Sequence, residues 1–167
     1  MSDRSPLGQL TLDAVDRCIL AELEADGRAS VSKLAERCHV SRATAYARLV
    51  RLQTSGVLLG FTTRVDHVRA GLGITAIVSV TMEQKSWRHT LTAMADLPGV
   101  AMVAATTGEA DVVLLVRAPD LNALRDVILD RLQSLDEVRS THSVIVLEEH
   151  WPELLGKTLG VNHDSVG

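Results

Sequence analysis

The residues with the clearest chemistry in this sequence are cations and hydrogen-bond donors that recur over residues 42–51. They share one face of a predicted helix, and guanidinium and hydroxyl groups of this kind bind phosphates and base edges. A helix is also about as wide as the major groove of DNA. The residues concerned are Arg42, Thr44, Tyr46, Arg48 and Arg51.

Two short helices joined by a tight turn are predicted over Val31–Gln53. Ser30 and Ser41 each precede an apolar run with helical spacing, where a serine oxygen can cap the free N–H groups of a first turn. Each helix also has one apolar stripe for burial. These features predict a helix-turn-helix whose second helix is the recognition helix. The alternative is a solvated helical hairpin that its arginines keep soluble.

The charge distribution favours a nucleic-acid contact near this helix. The formal net charge of −4 argues against a protein that coats DNA indiscriminately. Residues 1–64, however, contain 9 Lys and Arg against 7 Asp and Glu, whereas the remainder contains 8 against 14. Between Arg37 and Arg69 there are six arginines and a single carboxylate, Asp66. We therefore expect the positive field to lie around the recognition helix.

Neither the cysteines nor the histidines form a recognisable metal or catalytic pattern. Cys18 and Cys38 fall on the apolar stripes of predicted helices, where cysteine behaves as a small hydrophobic residue. We therefore expect neither to be a ligand, a nucleophile or a disulfide partner. The six histidines are scattered, without metal-binding spacing. No metal site and no cofactor is predicted.

Composition and length indicate a globular protein of one or two domains. The 46% of hydrophobic residues and 2% of aromatic residues predict an aliphatic core in a chain of 167 residues. No apolar run reaches the roughly 18 residues that span a bilayer, and the polar start MSDRSPLGQ lacks the apolar core of a signal peptide. A cytoplasmic protein is expected.

Local signals set the ends of the predicted N-terminal helices. Thr11 is expected to cap a first helix, which Asp26-Gly27 ends. Gly56 is expected to adopt the left-handed conformation after the recognition helix. The β-branched and aromatic residues that follow, over 57–66, predict a linker strand, and Gly71 and Gly73 mark a hinge after it.

An internal repeat at an offset of 38 residues runs through the second half of the chain. Each copy predicts a strand, a helix and a strand. Two such units give an α+β fold with the ferredoxin-like β-α-β-β-α-β arrangement. The predicted segments are 74–82, 87–97, 100–106, 111–118, 121–135 and 138–147.

These signals divide the chain into five parts. The divisions are a flexible N-terminus (1–10), a helix-turn-helix domain (11–56), a linker strand and hinge (57–73), a ferredoxin-like domain (74–151) and a C-terminal tail (152–167).

One face of the predicted sheet is covered by its two helices, but the strands are apolar on the other face as well. Ile77, Val113, Leu115 and Ile145 are expected to lie on that second face. Soluble monomers rarely expose an apolar area of several hundred Å². We therefore expect a homodimer, which would also supply the two-fold symmetry that suits a pair of recognition helices.

The order of these segments resembles the Lrp/AsnC ("feast/famine") family of leucine- and asparagine-responsive transcriptional regulators. The resemblance depends on LDAVDRCILAELEADGRASVSKLAERCHVSRATAYARLVRLQTSGVLLGF, followed by a linker strand and by a β-α-β-β-α-β domain that contains TTGEAD. It covers about residues 12–151, nearly the whole chain.

The resemblance implies a sequence-specific DNA-binding regulator whose dimers assemble into octamers or larger particles. It also implies a small effector, usually an amino acid, bound between dimers. The positions that would contact DNA are Ser41, Arg42, Thr44, Tyr46, Arg48 and Arg51. The positions that would form the effector site are Thr106, Thr107, Gly108, Glu109, Asp111, Thr141 and Ser143.

Three features depart from the family pattern. His39 stands in the turn where the family usually has glycine, so either the turn is strained or His39 adopts the left-handed conformation. Glu109 and Ala110 replace a bulkier, often aromatic pair. The tail over 152–167 runs past the usual end of the family.

Two other classes of function stay open at this point. Some siroheme decarboxylases resemble the same family, but such a site should show clustered His, Tyr or Arg, and the single tyrosine is Tyr46 on the recognition helix. A ligand-sensing adaptor that does not read DNA is the other class, and the arginine bias argues against it. We therefore expect a regulator and not an enzyme.

Overall fold

The computed structural model describes residues 11–83, 87–152 and 154–158. The chain forms two compact units, of which the first contains residues up to Arg64 together with those from Trp151 onward, and the second is Val65–His150. The predicted flexible N-terminus, residues 1–10, lies outside the described residues. In chain order the elements are α1 (Ala14–Ala25), α2 (Val31–Arg37), α3 (Arg42–Thr54), β1 (Ile74–Met82), α4 (Trp87–Ala95), β2 (Val100–Ala105), β3 (Val112–Ala118), α5 (Leu121–Arg125, continued by a π-helical segment, Asp126–Leu132), β4 (Val138–Ile145) and α6 (Leu154–Thr158).

The first unit buries one aliphatic core between α1, α2 and α3, as the sequence predicts. Ile19, Leu34 and Leu52 have no exposed surface. The predicted cap of α1 is wrong, because Asp13 and not Thr11 occupies that position. Asp13 accepts the N–H of Asp16, and the Asp16 carboxylate accepts the N–H of Asp13 in return. This reciprocal pair satisfies two free N–H groups, which a single threonine hydroxyl cannot do.

The chain after α3 does not form the predicted linker strand. Gly56 has the expected left-handed conformation, with φ 72°. Beyond it, residues 57–66 contain no strand, although Leu58 packs on the core of the first unit. A β-rich sequence becomes a strand only when a neighbouring backbone accepts and donates its hydrogen bonds. No such segment pairs with residues 57–66 within the described part of the chain.

The C-terminal tail, for which the sequence gives no prediction, adds a short helix to the first unit. Helix α6 packs against α1, where Leu155 joins the hydrophobic cluster. The Leu155 N–H donates to a carboxylate oxygen of Glu24 at 2.6 Å. That bond satisfies one of the free N–H groups at the start of α6.

The second unit is the predicted ferredoxin-like arrangement, a four-stranded antiparallel sheet in the order β2-β3-β1-β4. Side chains alternate between its two faces. The helix-covered face holds the core, which includes Val78, Val80, Leu114 and Met94. This confirms the α+β fold and the repeated strand-helix-strand plan.

The other face of the sheet is open and carries an apolar row across all four strands. Directly opposed residues share a face, and the register aligns Met102 with Leu115, Leu115 with Ile77, and Ile77 with Val144. Three of these side chains are 38–47% exposed. The expectation for Ile145 is wrong, because it pairs with buried Ala76 and so belongs to the helix side.

One buried cation lies beside this apolar row. The Arg117 side chain is 6% exposed and donates to Glu149 at 2.6 and 3.0 Å. It also donates to the Thr75 hydroxyl at 3.0 Å. The pairing is bidentate, which makes burial of the charge tolerable.

Candidate nucleic-acid interface and effector loop

The turn between α2 and α3 has the geometry that the sequence predicts. Ser30 accepts the N–H of Lys33 at 3.2 Å, and Ser41 accepts the N–H of Thr44 at 3.1 Å, so both serines are N-caps. His39 lies between the helices with φ 53°. It therefore takes the left-handed conformation, one of the two outcomes that the sequence left open, and a residue other than glycine adopts this conformation only at a cost.

Helix α3 presents two different sides. Its inner side is buried through Ala45 and Leu52. Of the predicted contact residues, Arg42 and Tyr46 are exposed on the outer side. The hydroxyls of Ser41 and Thr44 lie at the start of the helix and bond to each other at 2.8 Å.

Arg48 and Arg51 point to a different partner, the acidic start of α1. Arg48 Nη1 lies 2.6 Å from the Asp13 carboxylate and 3.3 Å from that of Asp16. Arg51 Nη2 also bonds to Asp16, whose side chain has no exposed surface. The structure therefore gives these two arginines a role within the unit, which is to hold α3 against α1.

Electrostatics agree with this pairing. The pKa of Asp13 is lowered to about 2, first by the backbone N–H of Asp16 and then by the guanidinium of Arg48. The pKa of Arg48 is raised, chiefly by its hydrogen bond to Asp13. The ionised forms of both groups are therefore stabilised by one another.

Ion pairs also reduce the positive field that the arginine count predicts. Of the six arginines between Arg37 and Arg69, four pair with carboxylates, and two of those carboxylates, Glu22 and Asp16, come from α1. Arg42 and Arg64 are in none of the ion pairs found over the described ranges. Arg42 is thus the exposed cation of α3 that pairs with no carboxylate among the residues that the structure describes.

A disulfide joins α1 to the end of α2, which overturns the expectation that both cysteines are unpaired core residues. Cys18 and Cys38 are bonded, with their Cα atoms 5.8 Å apart. Both residues are half-buried. Their apolar positions are correct, but they lie opposite each other where the two helices pack, and this makes pairing possible. Cys38 directly precedes His39, so the bond fixes the turn before α3.

The loop over residues 106–111 closes a tight connection between β2 and β3. The Thr106 N–H donates to the carbonyl of Asp111 at 2.9 Å, and the Thr106 hydroxyl donates to the Ala110 carbonyl at 2.6 Å. Gly108 has φ 125°, a backbone conformation that would be strained in a residue with a side chain. The Asp111 carboxylate accepts the N–H of Met82 at 2.7 Å. The loop is thereby tied to the end of β1.

Thr141 and Ser143 are the predicted polar positions of β4, which pairs with the edge of β1 opposite the one that faces β3. Thr141 pairs with Val80, whose carbonyl accepts the Asp111 N–H on the opposite edge of β1. The Thr141 hydroxyl also bonds to Gln133 at 3.0 Å. Ser143 pairs with Val78, further along β1. The structure therefore brings Asp111 and Thr141 to the same end of β1 and places Ser143 further away.

Comparison with known proteins decides the family. Residues 12–53 match the AsnC-type helix-turn-helix domain, and residues 75–154 match the Lrp/AsnC ligand binding domain. The chain belongs to the Lrp/AsnC family. It is accordingly a helix-turn-helix transcriptional regulator with a ligand-binding domain.

Relatives of the Lrp/AsnC family match most of the chain. LrpA of Mycobacterium tuberculosis is 34% identical over 143 residues, which are 85% of this chain and 94% of that protein. A transcriptional regulator of Neisseria meningitidis, solved in complex with L-Met, has a TM-score of 0.80 at 28% identity and covers 89% of this chain and 99% of its own. AsnC of Escherichia coli has a TM-score of 0.78 at 25% identity, with 87% and 98% covered.

The exposed side of α3 contains three further residues, outside the contact positions that the resemblance to the Lrp/AsnC family implies. Ala43, Ala47 and Val50 are exposed beside Tyr46. Their spacing of three and four residues was available as a signal, but apolar helical positions are more often buried.

Neither a metal site nor a membrane-spanning helix is found among the described residues. Over residues 11–83, 87–152 and 154–158, no group of His, Cys, Asp or Glu could hold a metal ion. Within the same residues no helix is both long enough and apolar enough to cross a membrane.

Proposed function

We propose that this regulator binds DNA as a homodimer that assembles further, and that an amino acid bound between dimers changes that assembly. The observation that supports DNA reading most directly is the outer side of α3. There the exposed Arg42 and Tyr46 lie at the N-terminal part of a helix whose family match is an AsnC-type helix-turn-helix domain. Residues in that part of a recognition helix contact base edges.

The contact residues divide into two groups under this proposal. Ser41, Arg42, Thr44 and Tyr46 contact the DNA, with Arg42 as the cation. Arg48 and Arg51 act indirectly, because their guanidinium groups are held by Asp13 and Asp16. This revises the expectation that all six residues touch DNA.

Replacing Arg42 with alanine is expected to weaken DNA binding about tenfold, the loss typical of one arginine contact. The measurement is fluorescence anisotropy with the duplex upstream of the protein's own gene and with a random duplex, over a salt series. The unaltered protein should prefer the upstream duplex, and its affinity for that duplex should fall steeply as the salt concentration rises. Arg69→Ala is the matched control, since Arg69 is 89% exposed in the second unit and its loss removes the same charge. Equal effects of the two variants would contradict the assignment of Arg42.

The effector site is proposed at the loop over 106–111, with Asp111 as the group that accepts the ammonium of an amino acid. Two findings support it: the match to the ligand-binding domain and a structural relative solved with L-Met. One Asp111 oxygen bonds to the Met82 N–H. The other Asp111 oxygen is available to accept a hydrogen bond from the ammonium group of the amino acid. The N–H groups of the loop suit the carboxylate of that amino acid.

Asp111→Asn is expected to weaken amino-acid binding about tenfold or more, because a hydrogen bond to a charged group is lost. An asparagine oxygen can still accept the Met82 N–H, so the loop should keep its fold. Calorimetric titration with a panel of amino acids measures the effect, and Asp96→Asn, an exposed carboxylate elsewhere in the unit, is the control.

Light scattering with and without the bound amino acid tests the change in assembly. A ligand that altered DNA affinity without changing assembly or conformation would contradict the mechanism.

Dimerisation is proposed through the open face of the sheet. The apolar row of Met102, Leu115, Ile77 and Val144 would be buried against the same row of a second copy, an isologous contact. This row supports the homodimer that the sequence predicts, with Val144 replacing Ile145.

Ile77→Asp is expected to convert the dimer to a monomer of 18.0 kDa. The charge would be buried opposite apolar side chains without a partner, which is strongly unfavourable. Light scattering measures the mass. Leu121→Asp is the matched control, because Leu121 is an exposed leucine, 61% exposed, on α5. A dimer that survives Ile77→Asp would place the interface elsewhere.

A regulatory role is proposed in preference to catalysis. The relatives are named as transcriptional regulators, which supports this choice over a siroheme decarboxylase. Titration with a tetrapyrrole tests it, since binding or turnover would change the absorption spectrum.

A further inference from the structure

The outer side of α3 carries an apolar stripe that the assigned contacts do not explain. Ala43, Tyr46, Ala47 and Val50 follow one another at intervals of three and four residues, and all four are exposed. Tyr46 is 60% exposed and Val50 37%. Solvated helix faces normally carry charged residues, as α2 does with Lys33 and Glu36. The stripe therefore needs a surface to cover it.

The ion pairs of Arg48 and Arg51 determine which kind of surface can cover the stripe. Guanine is read by an arginine or lysine that bonds to its O6 and N7 atoms. Arg48 and Arg51 are engaged by carboxylates of α1, so they are not on the stripe. Arg42, at the start of the helix, is the one cation left on the outer side of α3. Apart from Thr44, whose hydroxyl bonds to Ser41 at the start of the helix, the remaining outer positions from 43 to 50 carry alkyl groups and one phenol.

Alkyl side chains have a specific partner in the major groove, the C5-methyl group of thymine. Alanine makes such contacts, and its small size also lets the helix backbone approach the base edges. We infer that Ala43, Ala47 and Val50, with Tyr46 beside them, read thymine methyl groups, and that Arg42 alone reads guanine or a phosphate. This inference rests on the proposed entry of α3 into the major groove. It assigns the specificity of that helix to apolar contacts.

The test begins with the full-length protein and a randomised duplex pool long enough for two half-sites one helical turn apart. The recovered sites should be enriched in thymine at the central positions of each half-site. Each thymine is then replaced by deoxyuridine, which removes the methyl group and leaves base pairing intact. For each methyl group in contact, affinity should fall about fourfold, the value of one buried methyl.

A double-mutant cycle connects the methyl group to a residue. Val50→Ala removes two methyl groups from the stripe and keeps a good helix former. For at least one thymine, the fourfold deoxyuridine effect should disappear in this variant. Gln53→Ala, a change one turn further along the same helix, is the control and should keep the full effect.

Different failures have different meanings. Binding to the recovered duplex with no deoxyuridine effect at any thymine would overturn the inference while DNA reading by the family domain stands. An unchanged deoxyuridine effect in Val50→Ala, combined with altered self-association in light scattering, would make the stripe a protein interface and would also overturn it. No DNA binding at low salt would overturn both the inference and the proposed function.

Discussion

Asp16→Asn is expected to destabilise the N-terminal unit by about 3 kcal/mol, which is near the lower end of the cost of breaking a buried ion pair. Asp16 is completely buried and accepts hydrogen bonds from Arg48, Arg51 and the N–H of Asp13. Asparagine would leave the positive charges of two arginines without their shared counter-ion. The cost stays near the lower end because both guanidinium groups are partly exposed and can reach water.

Urea denaturation of the full-length protein measures this loss as a lower midpoint with an unchanged slope. Asp26→Asn is the matched control. Its ion pair with Lys33, at 2.7 Å, is half-exposed at both ends, so its loss should cost less than about 1 kcal/mol. Equal shifts for the two variants would show that Asp16 does not anchor α3.

Removal of the Cys18–Cys38 disulfide is the second large effect and is expected to cost about 3 kcal/mol. The bond closes a loop with a sequence separation of 20, and in the chain-entropy model a closed loop of this length restricts the unfolded chain by about that amount. In a unit of this size the loss lowers the melting temperature by roughly 15 °C. Thermal unfolding with and without dithiothreitol measures it.

The double variant Cys18→Ala and Cys38→Ala provides the control. Its melting temperature should match that of the reduced protein and should not respond to dithiothreitol. Disulfides are rare in reducing compartments, so free thiols should be titrated in protein prepared under reducing and under oxidising conditions. We expect two free thiols in the reduced protein and none in the oxidised protein. Two free thiols under oxidising conditions would contradict the bond.

The two effects concern the same physical problem, the orientation of α3. Carboxylates of α1 hold α3 directly, and the disulfide holds the end of α2 to α1 just before the turn at His39. Neither device contacts DNA under the proposed function. Both should nevertheless affect DNA affinity, because a recognition helix must be held at a defined angle to enter the groove.

The sequence by itself determined the features that depend on neighbouring residues. Ser30 and Ser41 cap their helices because the N–H groups they accept are three residues away. Gly56 takes the left-handed conformation that the end of α3 requires. The repeat, with its alternating strands and periodic helices, determined the ferredoxin-like unit.

The tertiary structure alone decided the contacts between distant segments. The ion pairs of Arg48 and Arg51 could not be predicted, because their acidic partners lie 32 to 35 residues upstream. The same holds for the two cysteines, whose pairing depends on how α1 and α2 pack. The face of Ile145 was set by strand register, since a shift of one residue reverses every side chain. Spacing along the chain predicts which side of an element is apolar, but which groups meet across elements depends on distances that only the folded chain defines.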